Sequence, residues 1–312
     1  MRIGVTGAAG FIGSHLSERL LAAGHEVRGI DAFTRFYPRG RKEANVAALR
    51  AAPGFELLEQ NLLYGPPAGS LAGLDAVCHL AGRPGVRTGS AATYEAGNVG
   101  TTAAVVEGAA RAGVRRVVLA SSSSVYGPAG GRVAEDADLA PLSHYGRSKC
   151  RAERRASELA GRLGVELVVL RYFTVYGPRQ RPDMAFARFV ASALEGERMP
   201  LLGDGGQVRD FTYVEDVAEA TELAVTRGTD RATYNVSGGA PVTLAHAFGV
   251  LGELLGTAPK LDPRPADERD PRSTAADLTR ARTDLGWEPR TALAEGLARQ
   301  AEHVAAAGSL GA

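Results

Sequence analysis

Apolar positions in the first half of the chain form short continuous runs, which alternate with longer stretches that have helical periodicity. Continuous apolar runs are typical of strands covered on both faces, so we predict strands at about 2–6, 26–30, 55–59, 76–80, 115–120 and 165–170. Helical periodicity predicts helices at 12–23, 93–112 and 145–163. This alternation favours right-handed βαβ crossovers and an α/β fold, a Rossmann-type doubly wound parallel sheet with helices on both faces.

The pattern becomes irregular after Arg171, where RYFTVYGPRQRPDMAF is followed by a helical stretch, a Gly-rich turn and RDFTYVEDV. This predicts a smaller, loop-rich lobe. The apolar segment 233–236 is expected to return to the main sheet as a further strand. We therefore assign residues 1–170 with about 210–238 to the sheet domain, and about 171–209 with 239–312 to the smaller lobe.

Composition excludes several classes of function. The 312 residues are 45% hydrophobic and 23% charged with a formal net charge of +1, which gives no reason to expect a nucleic-acid or membrane partner. Two cysteines, a first strand that begins at Arg2 and no apolar run of about 20 residues lead us to expect a cytoplasmic protein. The six histidines show no metal-ligand spacing, so we predict no metal.

A glycine motif, TGAAGFIGSHL, follows the first predicted strand directly. Gly7 permits a tight turn, Gly10 lets backbone N–H groups approach a pyrophosphate, and Gly13 lets the helix pack closely. Phe11 and Ile12 open that helix and belong to the same predicted dinucleotide site. The alternative, that these glycines only mark a turn, is disfavoured because strand, turn and helix occur in the right order.

An acidic residue, Asp31, ends the second predicted strand eighteen residues after Gly13. A carboxylate at this offset accepts hydrogen bonds from the adenosine ribose and repels a 2′-phosphate, so NAD is favoured over NADP. Arg35 lies nearby and weakens this preference. A solvated loop carboxylate is the alternative interpretation of Asp31.

A tyrosine and a lysine, Tyr145 and Lys149, lie four positions apart on a predicted helix and so share one face. An ammonium beside a phenol, together with a cationic nicotinamide ring, lowers the pKa of the phenol and prepares it to act as a base. Such pairs also occur by chance. However, Lys42, Lys149 and Lys260 are the only lysines among 36 basic residues, so a lysine here indicates a chemical need for a compact ammonium.

Together, TGAAGFIGSHL, SSSSVYG and the Tyr145–Lys149 spacing resemble the extended short-chain dehydrogenase/reductases, the NAD-dependent sugar-nucleotide epimerases and dehydratases. The resemblance covers essentially the whole chain. It implies that the smaller part is a mixed α/β substrate-binding lobe and that Ser122 hydrogen-bonds the reacting sugar hydroxyl. It also implies homodimerisation through the helices that begin near Thr93 and Tyr145. Further cofactor-lining residues that it implies are Asn61, Leu62, Leu80, Ala81, Gly82 and Asn98, with Asn61 in place of the family's usual acid.

The residues after Ser122 bear on the reaction. Dehydratases of this family carry Asp-Glu at the next two positions, and UDP-glucuronate decarboxylases carry Glu at the second; this chain has Ser123 and Ser124. A 4-epimerase requires hydride transfer and a tyrosine base but no such acid. The resemblance therefore favours a 4-epimerase.

The substrate is indicated by the segment 171–186, which resembles UDP-glucuronate 4-epimerases. In these enzymes Thr174 and Arg181, with Ser123 and Ser124, are expected to hold the C6 carboxylate, a task suited to a planar guanidinium. Arg181 capping a surface loop is the alternative. Other residues implied to bind the UDP-sugar are Val86 and Arg87 of the PGVR segment, Met199 and Leu201 near the uridine, and Arg209 and Arg269 near the diphosphate.

These features predict conversion of UDP-glucuronate to UDP-galacturonate. Tyr145 would accept the C4 hydroxyl proton while hydride passes to NAD, and hydride would return to the other face of a transient 4-keto sugar. Three alternatives stay open: an epimerase or reductase of a neutral UDP- or TDP-hexose, a UDP-glucuronate decarboxylase, and a noncatalytic homologue that only binds the dinucleotide.

Overall fold

A seven-stranded parallel sheet forms the centre of the computed structural model, which describes residues 1–66, 69–85, 89–128, 130–257 and 260–309. Its strands are β1 (Arg2–Thr6), β2 (Glu26–Asp31), β3 (Phe55–Glu59), β4 (Ala76–His79), β5 (Arg116–Ser122), β6 (Glu166–Tyr172) and β7 (Thr233–Val236). They are ordered β3-β2-β1-β4-β5-β6-β7. The predicted doubly wound α/β fold is confirmed. The strand order reverses between β1 and β4, and ligands of such sheets bind outside the carboxyl ends of the strands at that point.

Nine α-helical segments occur in the described residues: α1 (Phe11–Ala22), α2 (Arg39–Arg50), α3 (Ala91–Tyr94), α4 (Thr101–Arg111), α5 (His144–Leu163), α6 (Ala185–Glu195), α7 (Val214–Arg227), α8 (Leu244–Leu255) and α9 (Leu293–Ser309). The single helix predicted over 93–112 is wrong in detail, because a π-helical turn, Glu95–Gly100, separates α3 from α4. Two glycines, Gly97 and Gly100, lie inside this turn. A Cβ at Gly97 would come within 3.0 Å of the Arg83 side chain, so the turn lies close to the loop after β4.

The two faces of the sheet are covered by different helices. Leu16 and Leu20 of α1 join Val217 and Ala220 of α7 in one apolar cluster. A second cluster contains α4 and α5 residues, Val105, Val106, Leu159 and Ala160. Covering on both faces explains why the strands are nearly continuous apolar runs.

The helix α5 has well-defined ends, which matters because it carries Tyr145 and Lys149. Ser143 caps its first turn by accepting a hydrogen bond from the Gly146 N–H at 3.0 Å. Gly164 ends the helix in the left-handed conformation with a φ of 73°. Both are common helix-end signals, so the local sequence fixes where this helix begins and ends.

In the described part of the chain, four short strand pairs lie outside the main sheet; two fall within the predicted smaller lobe, and two join it to residues assigned to the sheet domain. Met199–Leu202 pairs with Leu261–Arg264, Val208–Arg209 with Val242–Thr243, and Thr212–Tyr213 with Val175–Tyr176. Ala275–Ala276 pairs with Arg132–Val133. An aromatic cluster underlies these pairs, with the Phe189 and Phe248 rings stacked at 5.1 Å and Phe186 and Phe211 at 4.8 Å. Strand β7 follows the first part of this lobe and returns to the main sheet beside β6, as predicted.

The remaining features of the fold concern membranes, metals and thiols. Over the described ranges, no helix has both the length and the apolar character needed to cross a membrane. In the same part of the chain, no three His, Cys, Asp or Glu side chains gather as metal ligands would. Cys78 and Cys150 are free and buried, and burial raises the pKa of the Cys150 thiol to about 11. This disfavours the reactive thiolate form.

Candidate active site

The glycine turn between β1 and α1 has the geometry that a dinucleotide requires. Gly7 adopts a φ of 75°, which L side chains rarely adopt, and its N–H donates to the Ile30 carbonyl at 2.7 Å. A Cβ at Gly13 would collide with the Gly7 carbonyl oxygen. Gly10 stands at the N-cap position of α1 and no side chain caps this helix, so the first-turn N–H groups, including those of Phe11 and Ile12, are left for an anion.

Asp31 is fixed beside this turn. The carboxylate is buried and accepts hydrogen bonds from the N–H groups of Ala9 at 3.1 Å and Phe33 at 2.7 Å. Lys42, on α2, pairs with it at 3.2 Å, a partner that was not anticipated from the sequence. The structure therefore holds Asp31 at the carboxyl end of β2 next to the pyrophosphate turn. Contact with a ribose hydroxyl stays a prediction.

The loops after β3 and β4 complete this edge of the sheet. Asn61 caps a short turn by accepting from the Leu63 N–H at 3.0 Å, and Leu62 is buried within that turn. The Ala81 N–H donates to the Thr6 hydroxyl at 3.1 Å, which holds the segment from Leu80 to Gly82 against the end of β1. The predicted cofactor residues thus lie along the carboxyl ends of β1 to β4, and the uncapped helix end and glycine cradle fit a dinucleotide.

Asn98 supports the loop after β4 through hydrogen bonds to its backbone. It is almost fully buried in the π-helical turn, accepts from the Arg83 N–H at 2.7 Å and donates to the Arg83 carbonyl at 3.2 Å. Its amide also donates to the Ser148 hydroxyl at 2.8 Å. Asn98 therefore ties the cofactor loop to helix α5, and the wider π turn supplies this position, as such turns frequently do at functional sites.

Tyr145 and Lys149 lie one turn apart near the start of α5, as the spacing predicted. The Lys149 ammonium donates to the Ala120 carbonyl at 2.9 Å and lies 6.0 Å from the centroid of the Tyr145 ring. Burial lowers the pKa of Lys149 to about 8, although the nearby Glu153 carboxylate opposes this effect. The lysine is therefore attached to the end of β5 and held beside the tyrosine.

The pKa of Tyr145 differs from the sequence-based expectation. Burial raises it above the ordinary value, while the Ser122 hydroxyl and the Arg181 charge act to lower it. The sequence-based expectation of a lowered pKa rested on two positive charges, that of Lys149 and that of the cofactor's nicotinamide ring. In the chain itself desolvation prevails, because burial penalises the charged phenolate.

Serine hydroxyls and Thr174 lie at the neighbouring ends of β5 and β6. The register pairs Ser122 with Tyr172, so Ser123 and Ser124 follow one strand end and Thr174 the other. Ser122 accepts from the Ser124 N–H at 3.2 Å and donates to the Ser124 hydroxyl at 3.1 Å. The structure thus places the three serines and Thr174 at the same sheet edge as Tyr145.

Arg181 lies on the loop before α6. Its guanidinium forms a two-point pair with Asp183, with Nε and Nη2 each at 3.0 Å from a carboxylate oxygen. The side chain is 19% exposed, its Cζ atom lies 5.7 Å from the centroid of the Phe36 ring, and its charge acts to lower the pKa of Tyr145. That Arg181 holds a sugar carboxylate stays a prediction, and capping of its own loop stays the alternative, because Asp183 belongs to the same loop.

The predicted nucleotide contacts are more dispersed. Met199 and Leu201 are buried in the smaller lobe, and Arg209 is buried and pairs with Asp270 at 2.6 Å. Arg269 is exposed and pairs with Asp267 at 2.8 Å. Their roles in binding UDP stay predictions. Two further predicted residues, Val86 and Arg87, lie outside the described residues.

A buried ionic network was missed by the sequence analysis. Arg171, in β6, forms a two-point pair with Glu153 at 2.8 and 3.1 Å, and Ser121 also donates to Glu153. Glu153 lies one turn after Lys149 on α5. The available signals were a charged residue in an otherwise apolar strand and an acid four positions after the lysine.

Comparison with known proteins identifies the family. The model of the NAD dependent epimerase/dehydratase family matches residues 3–237. An uncharacterized UDP-glucose epimerase, YtcB of Bacillus subtilis, is 36% identical, covering 96% of each chain. A dTDP-glucose 4,6-dehydratase of Streptomyces griseus is 34% identical, covering 94% of this chain and 91% of its own.

Among solved structures, the UDP-glucuronic acid 4-epimerase of Bacillus cereus, in complex with UDP-glucuronic acid and NAD, superposes with a TM-score of 0.95. It is 34% identical, and the match covers 98% of this chain and 100% of that one. The family expected from the motifs is therefore confirmed, although these relatives differ in substrate and reaction. The chain belongs to the NAD-dependent epimerase/dehydratase family and uses NAD as its cofactor.

Proposed function

We propose that this protein is a UDP-glucuronate 4-epimerase, which inverts C4 to give UDP-galacturonate without loss of the carboxyl group. The observation that carries this proposal is the position of Arg181, a guanidinium that is 19% exposed, lies 5.7 Å from the Phe36 ring centroid, acts to lower the pKa of Tyr145 and is not part of the Tyr145–Lys149 pair. A guanidinium on the sugar side of the catalytic tyrosine suits a substrate with an acid group. The similarity to a 4-epimerase that binds UDP-glucuronic acid supports the same substrate.

Tyr145 and Ser122 form the proton-transfer part of the site. Ser122 hydrogen-bonds the reacting hydroxyl and orients it. Tyr145 accepts the hydroxyl proton and gives it back to the C4 oxygen when hydride returns. Lys149, held by the Ala120 carbonyl, supplies a fixed positive charge beside the phenol. When bound, NAD accepts hydride from C4 of the sugar and returns it. Rotation of the 4-keto sugar between these events exposes its other face and inverts the configuration.

The carboxylate of the intermediate requires separate control. A 4-keto uronate is a β-keto acid and loses CO₂ when the C5–C6 bond aligns perpendicular to the carbonyl plane. Arg181, Thr174, Ser123 and Ser124 would hold the carboxylate away from that alignment by hydrogen bonds. Positioning of this kind changes reaction barriers by several kcal/mol.

The competing reactions fit the site less well. In this chain serines occupy the two positions at which dehydratases carry an Asp-Glu pair and decarboxylases a glutamate. A neutral-sugar epimerase is the strongest alternative, because Asp183 already pairs with Arg181 and offsets its charge. A comparison of turnover of UDP-glucuronate with turnover of UDP-glucose distinguishes the two functions.

The proposal is tested by measuring turnover of UDP-glucuronate and of UDP-glucose by three proteins: wild type, Arg181→Ala and Arg188→Ala. Arg188 is a matched control because it is exposed on the neighbouring helix α6. Loss of a charge-assisted hydrogen bond costs about 1.5–3 kcal/mol, so Arg181→Ala is expected to lower kcat/KM for UDP-glucuronate by about 10- to 100-fold. The variant should also release UDP-4-keto-pentose, detectable by proton NMR, while Arg188→Ala behaves as wild type.

Two results would contradict the proposal. One is a wild-type enzyme that turns over UDP-glucose but not UDP-glucuronate. The other is an Arg181→Ala variant that retains wild-type kcat/KM for UDP-glucuronate, since the arginine would then have no role in holding the acid.

A further inference from the structure

An aromatic ring, that of Phe36, lies next to two guanidinium groups. The Cζ atom of Arg83 is 4.5 Å from the ring centroid and that of Arg181 is 5.7 Å from it. Cations within about 6 Å of an aromatic centroid are attracted by the negative face of the ring. Phe36 follows β2, Arg83 follows β4 and Arg181 follows β6, so three separate loops meet at this ring.

Arg83 is the rigid member of this group. Asn98 bonds both its N–H and its carbonyl, and Asn98 in turn donates to Ser148, the neighbour of Lys149. The backbone of Arg83 is thus tied through one buried amide to the helix that carries the catalytic pair. Phe36 therefore rests against a residue whose backbone is anchored to the catalytic helix.

Arg181 lies on a loop that belongs to neither a helix nor a strand, where its carbonyl accepts a hydrogen bond from the Met184 N–H at 3.1 Å. Its long side chain loses rotamer entropy when it is fixed, so contacts beyond its backbone are needed to hold the guanidinium. Asp183 occupies the Nε and Nη2 atoms, and among the described residues Nη1 donates no hydrogen bond. One edge of the guanidinium is therefore held, while Nη1 stays available to a ligand.

Asp183 alone does not determine where the guanidinium lies, because the two residues share one short loop and can move together. Phe36 adds a contact from a different part of the chain. The charge of Arg181 acts on Tyr37 as well as on Tyr145, which agrees with a guanidinium lying between the Phe36 loop and the catalytic tyrosine.

We propose that Phe36, supported by Arg83, positions the Arg181 guanidinium for the acid group of the sugar and so contributes to selection of acidic over neutral substrates. This inference rests on the proposed function. Phe36 is a positioning residue, since it acts through Arg181.

The test compares Phe36→Leu, Phe36→Tyr and Arg83→Met. A cation–π contact contributes about 0.5–2 kcal/mol, so Phe36→Leu is expected to lower kcat/KM for UDP-glucuronate by about 2- to 30-fold. Turnover of UDP-glucose should change less than about twofold, and the share of decarboxylated product should rise. Phe36→Tyr keeps the ring and should behave as wild type, while Arg83→Met should give a smaller loss in the same direction.

A double variant separates positioning from general damage. If Phe36 acts through Arg181, then Phe36→Leu combined with Arg181→Ala should lose no more kcat/KM than Arg181→Ala alone. Equal losses on both substrates, or additive losses in the double variant, would overturn the proposal.

A crystal structure of Phe36→Leu gives a readout that needs no turnover. We expect the Arg181 guanidinium to move from its wild-type position, whereas an unchanged guanidinium would overturn the positioning role. If the wild-type enzyme rejects UDP-glucuronate, the proposed function fails, and this structure still decides whether Phe36 holds Arg181.

Discussion

Two parts of the proposed site are built in different ways: the proposed cofactor edge, formed by the loops after β1 to β4, and the proposed sugar edge, formed by the loops after β5 and β6. At the cofactor edge the backbone is the main element: Gly7 has a positive φ, Gly13 has no room for a Cβ, and the first turn of α1 is left uncapped. At the sugar edge side chains dominate, namely the serines after β5, Thr174, and the Arg181–Asp183 pair.

From this difference we expect the cofactor edge to be common to relatives with different substrates, and the sugar edge to select the sugar. Backbone N–H groups recognise a pyrophosphate whatever the neighbouring side chains are, so relatives that differ in substrate can share this part. Side chains on loops are free to vary while the sheet stays unchanged. Selectivity among sugars is therefore expected to depend on the sugar edge alone.

The largest effect is expected when the proposed base is removed and both edges of the site are left unchanged. Tyr145→Phe deletes only the phenolic oxygen, so we expect turnover to fall by about 10²- to 10⁴-fold, the usual contribution of a positioned acid–base group. Thermal stability and NAD affinity should stay close to wild type. Tyr64→Phe is the matched control, because Tyr64 is 91% exposed, and it should keep full turnover. A Tyr145→Phe variant with wild-type turnover would exclude the tyrosine as the base.

A second test acts on the cofactor edge. Gly13→Ala places a methyl group against the Gly7 carbonyl, and overpacking of this kind costs about 1–3 kcal/mol. We expect weaker NAD binding by calorimetry and a lower melting temperature, with the preference between UDP-glucuronate and UDP-glucose unchanged. Gly249→Ala in α8 meets no atom within 4 Å and should be neutral or slightly stabilising. A changed sugar preference in Gly13→Ala would contradict the separation of the two edges.

A third test concerns folding rather than turnover, through the acid stability of the sheet domain. Burial lowers the pKa of His15 and of His79 from 6.5 to about 3, so below pH 6.5 the unfolded chain binds protons that the folded chain does not. Stability is therefore lost as pH falls from about 6.5 towards 3, by about 1.4 kcal/mol per pH unit for each histidine.

Denaturant unfolding between pH 7 and pH 4.5 measures this loss. His79→Asn should show a shallower decrease than wild type, by about the contribution of one histidine. His246→Asn is the control, since His246 is exposed, and should follow the wild-type slope. Identical slopes for wild type and His79→Asn would mean that His79 takes up its proton in the folded state.

Some elements could be predicted almost to the residue, and others could not. Strand β1 and helix α5 match the sequence expectation because an apolar run, a capping serine and a terminal glycine are local signals. The π turn before α4 was missed, and the loop that it approaches, at Arg83, lies in another part of the chain. The Arg171–Glu153 pair was missed for the same reason.

The sequence by itself determined the doubly wound sheet, the glycine turn, the Tyr145–Lys149 pair and the family, because each depends on periodicity or on fixed short spacing. Only the tertiary structure decided that Lys42 pairs with Asp31, that burial outweighs the charges that would lower the pKa of Tyr145, and that Phe36 lies between Arg83 and Arg181. The physical reason is that desolvation and contacts between loops depend on distances between residues far apart in the chain, which no local pattern encodes.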